Sequence, residues 1–138
     1  MDVFVDTSGL YALLDADDRL HDRAASAWGY LHRKRRTLKS HNYVIVETAV
    51  IMQRRLGMAA VGALVRDVVP LLGVVWVDEN LHSAAVTALL ASERRDISLV
   101  DWTSFELMRR LGIKDALTFD GHFTDQGFSV FSDDERIT

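Results

Sequence analysis

Four acidic residues stand where a carboxylate is either a helix cap or a ligand: Asp6, Glu47, Asp101 and Asp120. Asp6 ends the apolar run Val3-Phe4-Val5, whose β-branched and aromatic residues read as a buried central strand. Open α/β sheets bind ligands at the carboxyl ends of their strands, so an acid there is a candidate ligand, although Asp is also an ordinary helix cap. Asp120 ends a second such stretch, Lys114 to Phe119. Glu47 has Tyr43, Val44, Val50 and Ile51 as its helical neighbours at three and four residues, and none of them is a cation. Its carboxylate is therefore either solvated between apolar neighbours or directed into a pocket. Asp101 follows Ser98 at the spacing of a capping box, a role compatible with a site. Carboxylates gathered without cations raise one another's pKa values, so a fold that converges four of them is expected to bind a cation. With oxygen donors only and no cysteine, that cation is hard, Mg²⁺ or Mn²⁺.

The elements that must position these acids alternate between strands and helices. After the first strand, Ser8 to Leu14 reads as a short helix with Leu10, Leu13 and Leu14 inward, and His21 to Arg33 as a second with Ala24, Ala27, Trp28 and Leu31 at helical spacing. That helix ends in the basic tetrad Arg33 to Arg36, which suits the helix dipole and belongs at the sheet edge away from Asp6. Thr37 to Ser40 is a second strand, followed by a helix capped by Asn42 and stopped by Gly57, with Ile45, Ala49, Met52 and Leu56 as its core stripe. Met58 to about Val69 is a further helix halted by Pro70, and Val74 to Val77 a third strand. Asp78 caps a helix reaching about Arg94, and another opens at Asp96 to Trp102 and ends near Gly112. Lys114 to Phe119 and Phe128 to Phe131 complete five strands, and the polar tail from Ser132 is expected to fray.

Strands that are apolar throughout and alternate with helices predict a three-layer α/β/α fold with a parallel sheet covered on both faces. Each crossover helix then starts at the carboxyl edge. Asp6 and Asp120 end strands, and Glu47 and Asp101 lie early in helices, so all four converge there.

The 138 residues, 49% of them hydrophobic, suit one domain spanning 1–138. The absence of cysteine excludes disulfides, zinc-thiolate sites and thiol catalysis, and favours a cytoplasmic location. The start lacks the features of a signal peptide, and the longest uncharged run, Val68 to Val77, is too short to span a bilayer, so no membrane association is expected. A net charge of −4 opposes nucleic-acid binding by surface charge alone, but a cation among the acids would invert the local field. The five histidines have no ligand spacing, and His122 reads as a solvated loop residue.

The sequence Val-Phe-Val-Asp6-Thr-Ser8, Glu47 early in the helix after Ser-His-Asn-Tyr, Ser98-x-x-Asp101 and Thr118-Phe-Asp120-Gly-His-Phe123 together resemble the PIN-domain ribonucleases. Within them the chain is most similar to the VapC-type toxins of toxin–antitoxin pairs, from Val3 to about Phe131. The resemblance implies strand order 3-2-1-4-5 and a metal site of Asp6, Glu47, Asp101 and Asp120. It also implies supporting hydroxyls at Ser8, Ser98 and Thr118. The function expected on this basis is Mg²⁺-dependent cleavage of single-stranded regions of RNA, with a cognate antitoxin protein and a second copy of the chain as partners. The competing class is a non-enzymatic regulator, either a receiver-like phosphate acceptor or an inactive PIN-like binding module. A receiver would carry a lysine late in the sheet, whereas Lys114 precedes strand four. A haloacid-dehalogenase-like phosphatase would carry an Asp where Ser8 stands.

Overall fold

Successive residues of a strand face opposite sides, yet Val3, Phe4 and Val5 are each 0% exposed, so the strand Asp2–Val5 (β1) is covered on both faces. In the computed structural model, which describes residues 1–131, β1 is the middle strand of a five-stranded parallel sheet. The others are Thr37–His41 (β2), Gly73–Val75 (β3), Asp115–Leu117 (β4) and Ser129–Phe131 (β5), in the order β3-β2-β1-β4-β5. Phe4 is flanked by Lys39 of β2 and Ala116 of β4, which fixes the register of the centre. The expected tail from Ser132 lies outside the described residues.

Helices flank the sheet: Thr7–Leu14 (α1), His21–Arg33 (α2), Asn42–Arg55 (α3), Met58–Ala63 (α4), Glu79–Ser92 (α5), Leu99–Leu111 (α6) and the short His122–Asp125 (α7). α1 packs on α2 and α3, α3 on α4, and α5 on α6. Phe4 meets Phe123 of α7, which meets Phe105 of α6 edge to face with centroids 4.9 Å apart, so aromatic packing fixes α6 and α7 over β1. On α1, a Cβ built at Gly9 would lie 2.5 Å from the Leu117 carbonyl oxygen. Only glycine lets α1 sit that close to β4, and this approach brings the end of β1 against the end of β4. Among the described residues no helix is long and apolar enough to cross a membrane.

Several details differ from the sequence expectations. Asn42 is the first residue of α3 and not its cap, because β2 continues to His41 and the buried imidazole accepts from the Val44 amide at 3.3 Å. Asn42 Oδ1 instead accepts from the Val77 amide at 2.6 Å, tying α3 to the segment after β3. The fully buried residues of α3 are Val44, Thr48 and Met52; of the expected stripe Met52 is among them, Ile45 and Ala49 are partly buried against the core, and Leu56 is 38% exposed. Both series have helical spacing, and the Thr48 hydroxyl is accommodated inside by donating to the Val44 carbonyl at 2.7 Å. The helix from Met58 gives way to a wider turn at Leu64–Val68 and a tighter one at Val69–Leu71, where Pro70 sits. β4 and β5 are shorter than the expected stretches that contain them, and β3 begins one residue before the expected Val74 and ends at Val75, short of Val77. The basic tetrad lies at the amino edge as expected: Arg36 donates to the Met1 carbonyl and pairs with Asp115 at 2.9 Å.

Candidate active site

Asp6 is 5% exposed and caps α1, accepting from the Ser8 amide at 2.7 Å through Oδ1. Its Oδ2 accepts from the buried Thr118 hydroxyl at 2.6 Å. Thr118 Oγ1 in turn accepts from the Asp120 amide at 3.0 Å, and Ser8 Oγ accepts from the Phe119 amide at 2.8 Å. Two hydroxyls therefore sew the turn after β1 to the loop after β4, so Asp6 and Asp120 are positioned as one unit.

The helix-borne acids are held in a comparable way. His41, fully buried at the start of α3, has Nε2 2.8 Å from the Ser104 hydroxyl of α6. Ser104 gives its proton to the Val100 carbonyl, so Nε2–H donates and Nδ1 is free to accept the Val44 amide. Burial lowers the His41 pKa to about 4, which keeps that neutral tautomer. One imidazole thus joins α3, which carries Glu47, to α6, which carries Asp101. The Ser98–Asp101 capping box forms in both directions and fixes Asp101 in the first turn of α6. Glu47 Oε1 accepts from the Thr7 hydroxyl at 2.5 Å, leaving Oε2 to the cleft.

Asp6, Glu47, Asp101 and Asp120 all line one cleft of about 320 Å³, together with Ser8 and Ser98, whereas Thr118 lies behind Asp6 and opens on the other side. The larger cavity, about 490 Å³, lies at the opposite edge around Met1, Asp2 and Lys114 and holds none of these four acids. Burial raises the Asp6 pKa to about 7, against the lowering effect of Thr118 and Ser8, and the charges of Asp101 and Asp120 raise it further. Asp101 is raised to about 6, first by burial and then by Asp120, with Glu47 adding to the effect. Asp6 and Asp101 are thus penalised on ionising by the acids around them.

Three neighbours were not assigned to the site from the sequence. His122 starts α7, not an open loop; its Nε2 lies 3.3 Å from Asp96 and its Nδ1 3.0 Å from Asp120. Ligand atoms of Asp101, Asp120 and His122 lie within 4.8 Å of one another, a spacing at which they could share a cation. Arg55 lines the cleft, its guanidinium 5.5 Å from the centre of the Tyr11 ring. The signal for Arg55 was its place eight residues after Glu47, two helical steps of four along the same face. Tyr11 also lines the cleft, and its hydroxyl donates to Asp15 at 2.7 Å.

The donor set suits a hard divalent cation: it is mostly carboxylate oxygen, two of its members resist ionisation without a counter-charge, and the cleft is open to solvent. Such an arrangement can gather positive charge at one point in a chain whose net charge is −4.

Residues 3–129 match the model of the PIN domain. The 23S rRNA-specific endonuclease VapC20 of Mycobacterium tuberculosis is 37% identical over 127 residues, covering 91% of this chain and 95% of that protein. The crystal structure of VapC20, described as a sarcin–ricin loop cleaving toxin, superposes with a TM-score of 0.81 at 35% identity, covering 91% of this chain and 95% of that one. FitAcB from Neisseria gonorrhoeae shares the fold with a TM-score of 0.68 at 14% identity, covering 95% of this chain and 96% of that one. PAE2754 from Pyrobaculum aerophilum does so with a TM-score of 0.58 at 23% identity, covering 95% and 92%.

Proposed function

Because this chain belongs to the PIN-domain family, we propose that it is an endoribonuclease, the toxin of a toxin–antitoxin pair, and that Asp6, Glu47, Asp101 and Asp120 form its catalytic centre. The observation that carries the reading is the convergence of these four carboxylates on one cleft, with two of them resisting ionisation. The relative's action on the sarcin–ricin loop supports an exposed single-stranded RNA loop as the substrate class.

The four acids would hold Mg²⁺, with Mn²⁺ as the natural substitute, and His122 is within reach of the same cation. When bound, the cation supplies positive charge for the phosphate oxygens and lowers the pKa of a water. Thr118 and Ser8 keep Asp6 turned into the site by donating to it. The Ser98 cap does the same for Asp101, and the Thr7 hydroxyl for Glu47. Arg55 at the rim offers a planar pair of donors to a phosphate oxygen. An RNA pool incubated with Mg²⁺, with and without chelator, tests the reading: cleavage that the chelator abolishes supports it.

A cytoplasmic location and two protein partners, an antitoxin and a second copy of this chain, belong to the same proposal. Support for a protein contact comes from exposed Val46 and Trp76, the latter 76% exposed, beside an apolar cleft also lined by Ile45, Val69 and Val74. The receiver-like alternative lacks support at the site, since Lys114 lies at the opposite edge.

A further inference from the structure

Among the donors gathered at Asp120, one is nitrogen. The ring of His122 stands between two carboxylates, with Nε2 3.3 Å from Asp96 and Nδ1 3.0 Å from Asp120. The two contacts are not alike. Asp96 is held from its other side by Arg94, which donates to both of its oxygens, from Nε at 3.1 Å and from Nη2 at 2.7 Å. A carboxylate paired in this way only accepts, so the nitrogen that faces it, Nε2, carries the ring proton.

At the other end of the ring, Nδ1 is buried and makes no hydrogen bond. Asp120 Oδ1 lies beside it without the alignment that an N–H donor needs, and accepts instead from the His122 amide at 2.9 Å. An unprotonated Nδ1 presents a lone pair next to a carboxylate oxygen, an arrangement that repels unless a cation lies between the two. The spacing fits a cation: adjacent ligands of an octahedral ion at about 2.1 Å are about 3.0 Å apart, the separation of Nδ1 and Asp120 Oδ1. Asp101 brings a third ligand atom within 4.8 Å of those of Asp120 and His122.

We propose that His122 is a metal ligand through Nδ1, with Asp96 and Arg94 as its positioning residues, and that this nitrogen makes the centre favour Mn²⁺ over Mg²⁺. The proposal rests on the metal-dependent reading of the four acids. Those acids alone suit Mg²⁺, which takes oxygen ligands, whereas an imidazole suits first-row transition ions. Mn²⁺ is the ion of that row that also accepts several carboxylates. The chain from Arg94 through Asp96 to His122 supplies what a ligating imidazole needs from outside the metal's own ligands: a carboxylate that fixes its tautomer, fixes its orientation and raises its basicity.

The test reads the metal without RNA. Electron spin-echo envelope modulation of the Mn²⁺-loaded wild type is expected to show coupling to an imidazole nitrogen, and the coupling to vanish in His122→Gln. Calorimetric titrations with Mn²⁺ and with Mg²⁺ run in parallel, with circular dichroism to confirm that each variant is folded. Wild type is expected to bind Mn²⁺ about tenfold more tightly than Mg²⁺, and His122→Gln to lose most of that difference by weakening Mn²⁺. Asp96→Ala, which releases the ring, is expected to weaken Mn²⁺ about tenfold and Mg²⁺ far less. A wild-type spectrum without nitrogen coupling overturns the proposal whatever the variants do. Equal weakening of both ions in His122→Gln also overturns it, since His122 would then only support Asp120. An Asp96→Ala protein with wild-type Mn²⁺ affinity removes Asp96 and Arg94 as positioning residues. Because no RNA is present, a protein that shows the coupling but cuts no RNA would refute the nuclease reading and leave His122 a ligand, and cleavage by a protein without the coupling would do the reverse.

Discussion

The Thr118 hydroxyl donates to Asp6 at 2.6 Å while accepting from the Asp120 amide at 3.0 Å, so a single buried oxygen links the carboxylate that ends β1 to the loop carrying the acid that follows β4. Two ligands from two strands thereby share one support. Thr118→Val keeps the shape and removes both bonds. It is expected to cost about 1–3 kcal/mol of stability, the usual cost of unpairing a buried group, and to weaken Mg²⁺ binding about tenfold or more. A Mg²⁺ titration followed by thermal shift reads both effects, and a variant with unchanged Mg²⁺ affinity would show that the hydroxyl does not orient the site.

The pH dependence of the metal-free protein follows from the raised pKa values. Asp6 rises from 3.8 to about 7 and Asp101 from 3.8 to about 6 on folding. A carboxyl whose folded pKa is raised contributes stability that is fully present below its unfolded value and lost as pH climbs through the folded one. Stability in EDTA is therefore expected to fall between about pH 4 and pH 8 on account of these two groups. Asp6→Asn removes the larger contributor, and above neutral pH in EDTA it is expected to be as stable as wild type or up to about 3 kcal/mol more so. Mg²⁺ at about a hundredfold its Kd should return roughly 2.7 kcal/mol to wild type. Melts in EDTA and in Mg²⁺ at fixed ionic strength check the signs. An Asn variant that is less stable in EDTA would make Asp6 a structural cap only.

At Gly9 the constraint is steric. Alanine there would bring a methyl carbon to 2.5 Å from the Leu117 carbonyl oxygen, and neither backbone can yield alone. Gly9→Ala is expected to cost about 1–3 kcal/mol through overpacking and to lower activity by shifting Asp6 against Thr118. Chemical denaturation with parallel RNA cleavage checks this, and a variant of wild-type stability would show that α1 can move without cost.

How much of this was legible in the sequence depended on range. β1 and the order of elements were visible because an apolar run ending in Asp6 and the alternation of periods are local signals, and the sheet has the order 3-2-1-4-5 that the resemblance implied. The buried face of α3 is rotated from Ile45 and Ala49 toward Val44 and Thr48, with Met52 common to both, because the two series have the same kind of spacing and only the tertiary environment selects between them. The cap of α3 was misassigned because a buried histidine with a serine partner 63 residues away leaves no local trace. α7 was missed because four residues show no period. All four acids reach one cleft, but the neighbouring cleft that Arg19 and Arg23 share with Asp120 was invisible, because it is assembled only across the end of the sheet.

The antitoxin proposed for this site would close it with an arginine, since a guanidinium pairs with carboxylates through two parallel bonds. Such a segment is expected to compete with Mg²⁺, so its inhibitory potency should fall as Mg²⁺ rises. Inhibition curves at several Mg²⁺ concentrations test this, and potency independent of Mg²⁺ would place the inhibitor elsewhere.

The claim that four carboxylates make a metal-dependent nuclease is tested most directly by cleavage of a loop-containing RNA with wild type, Asp6→Asn and Asp120→Asn in Mg²⁺ and in EDTA. Either substitution preserves volume while removing a charged ligand, so each folded variant is expected to lose more than about a hundredfold in rate, and EDTA to silence wild type. Cleavage at the wild-type rate by either variant, or by wild type in EDTA, would contradict the account.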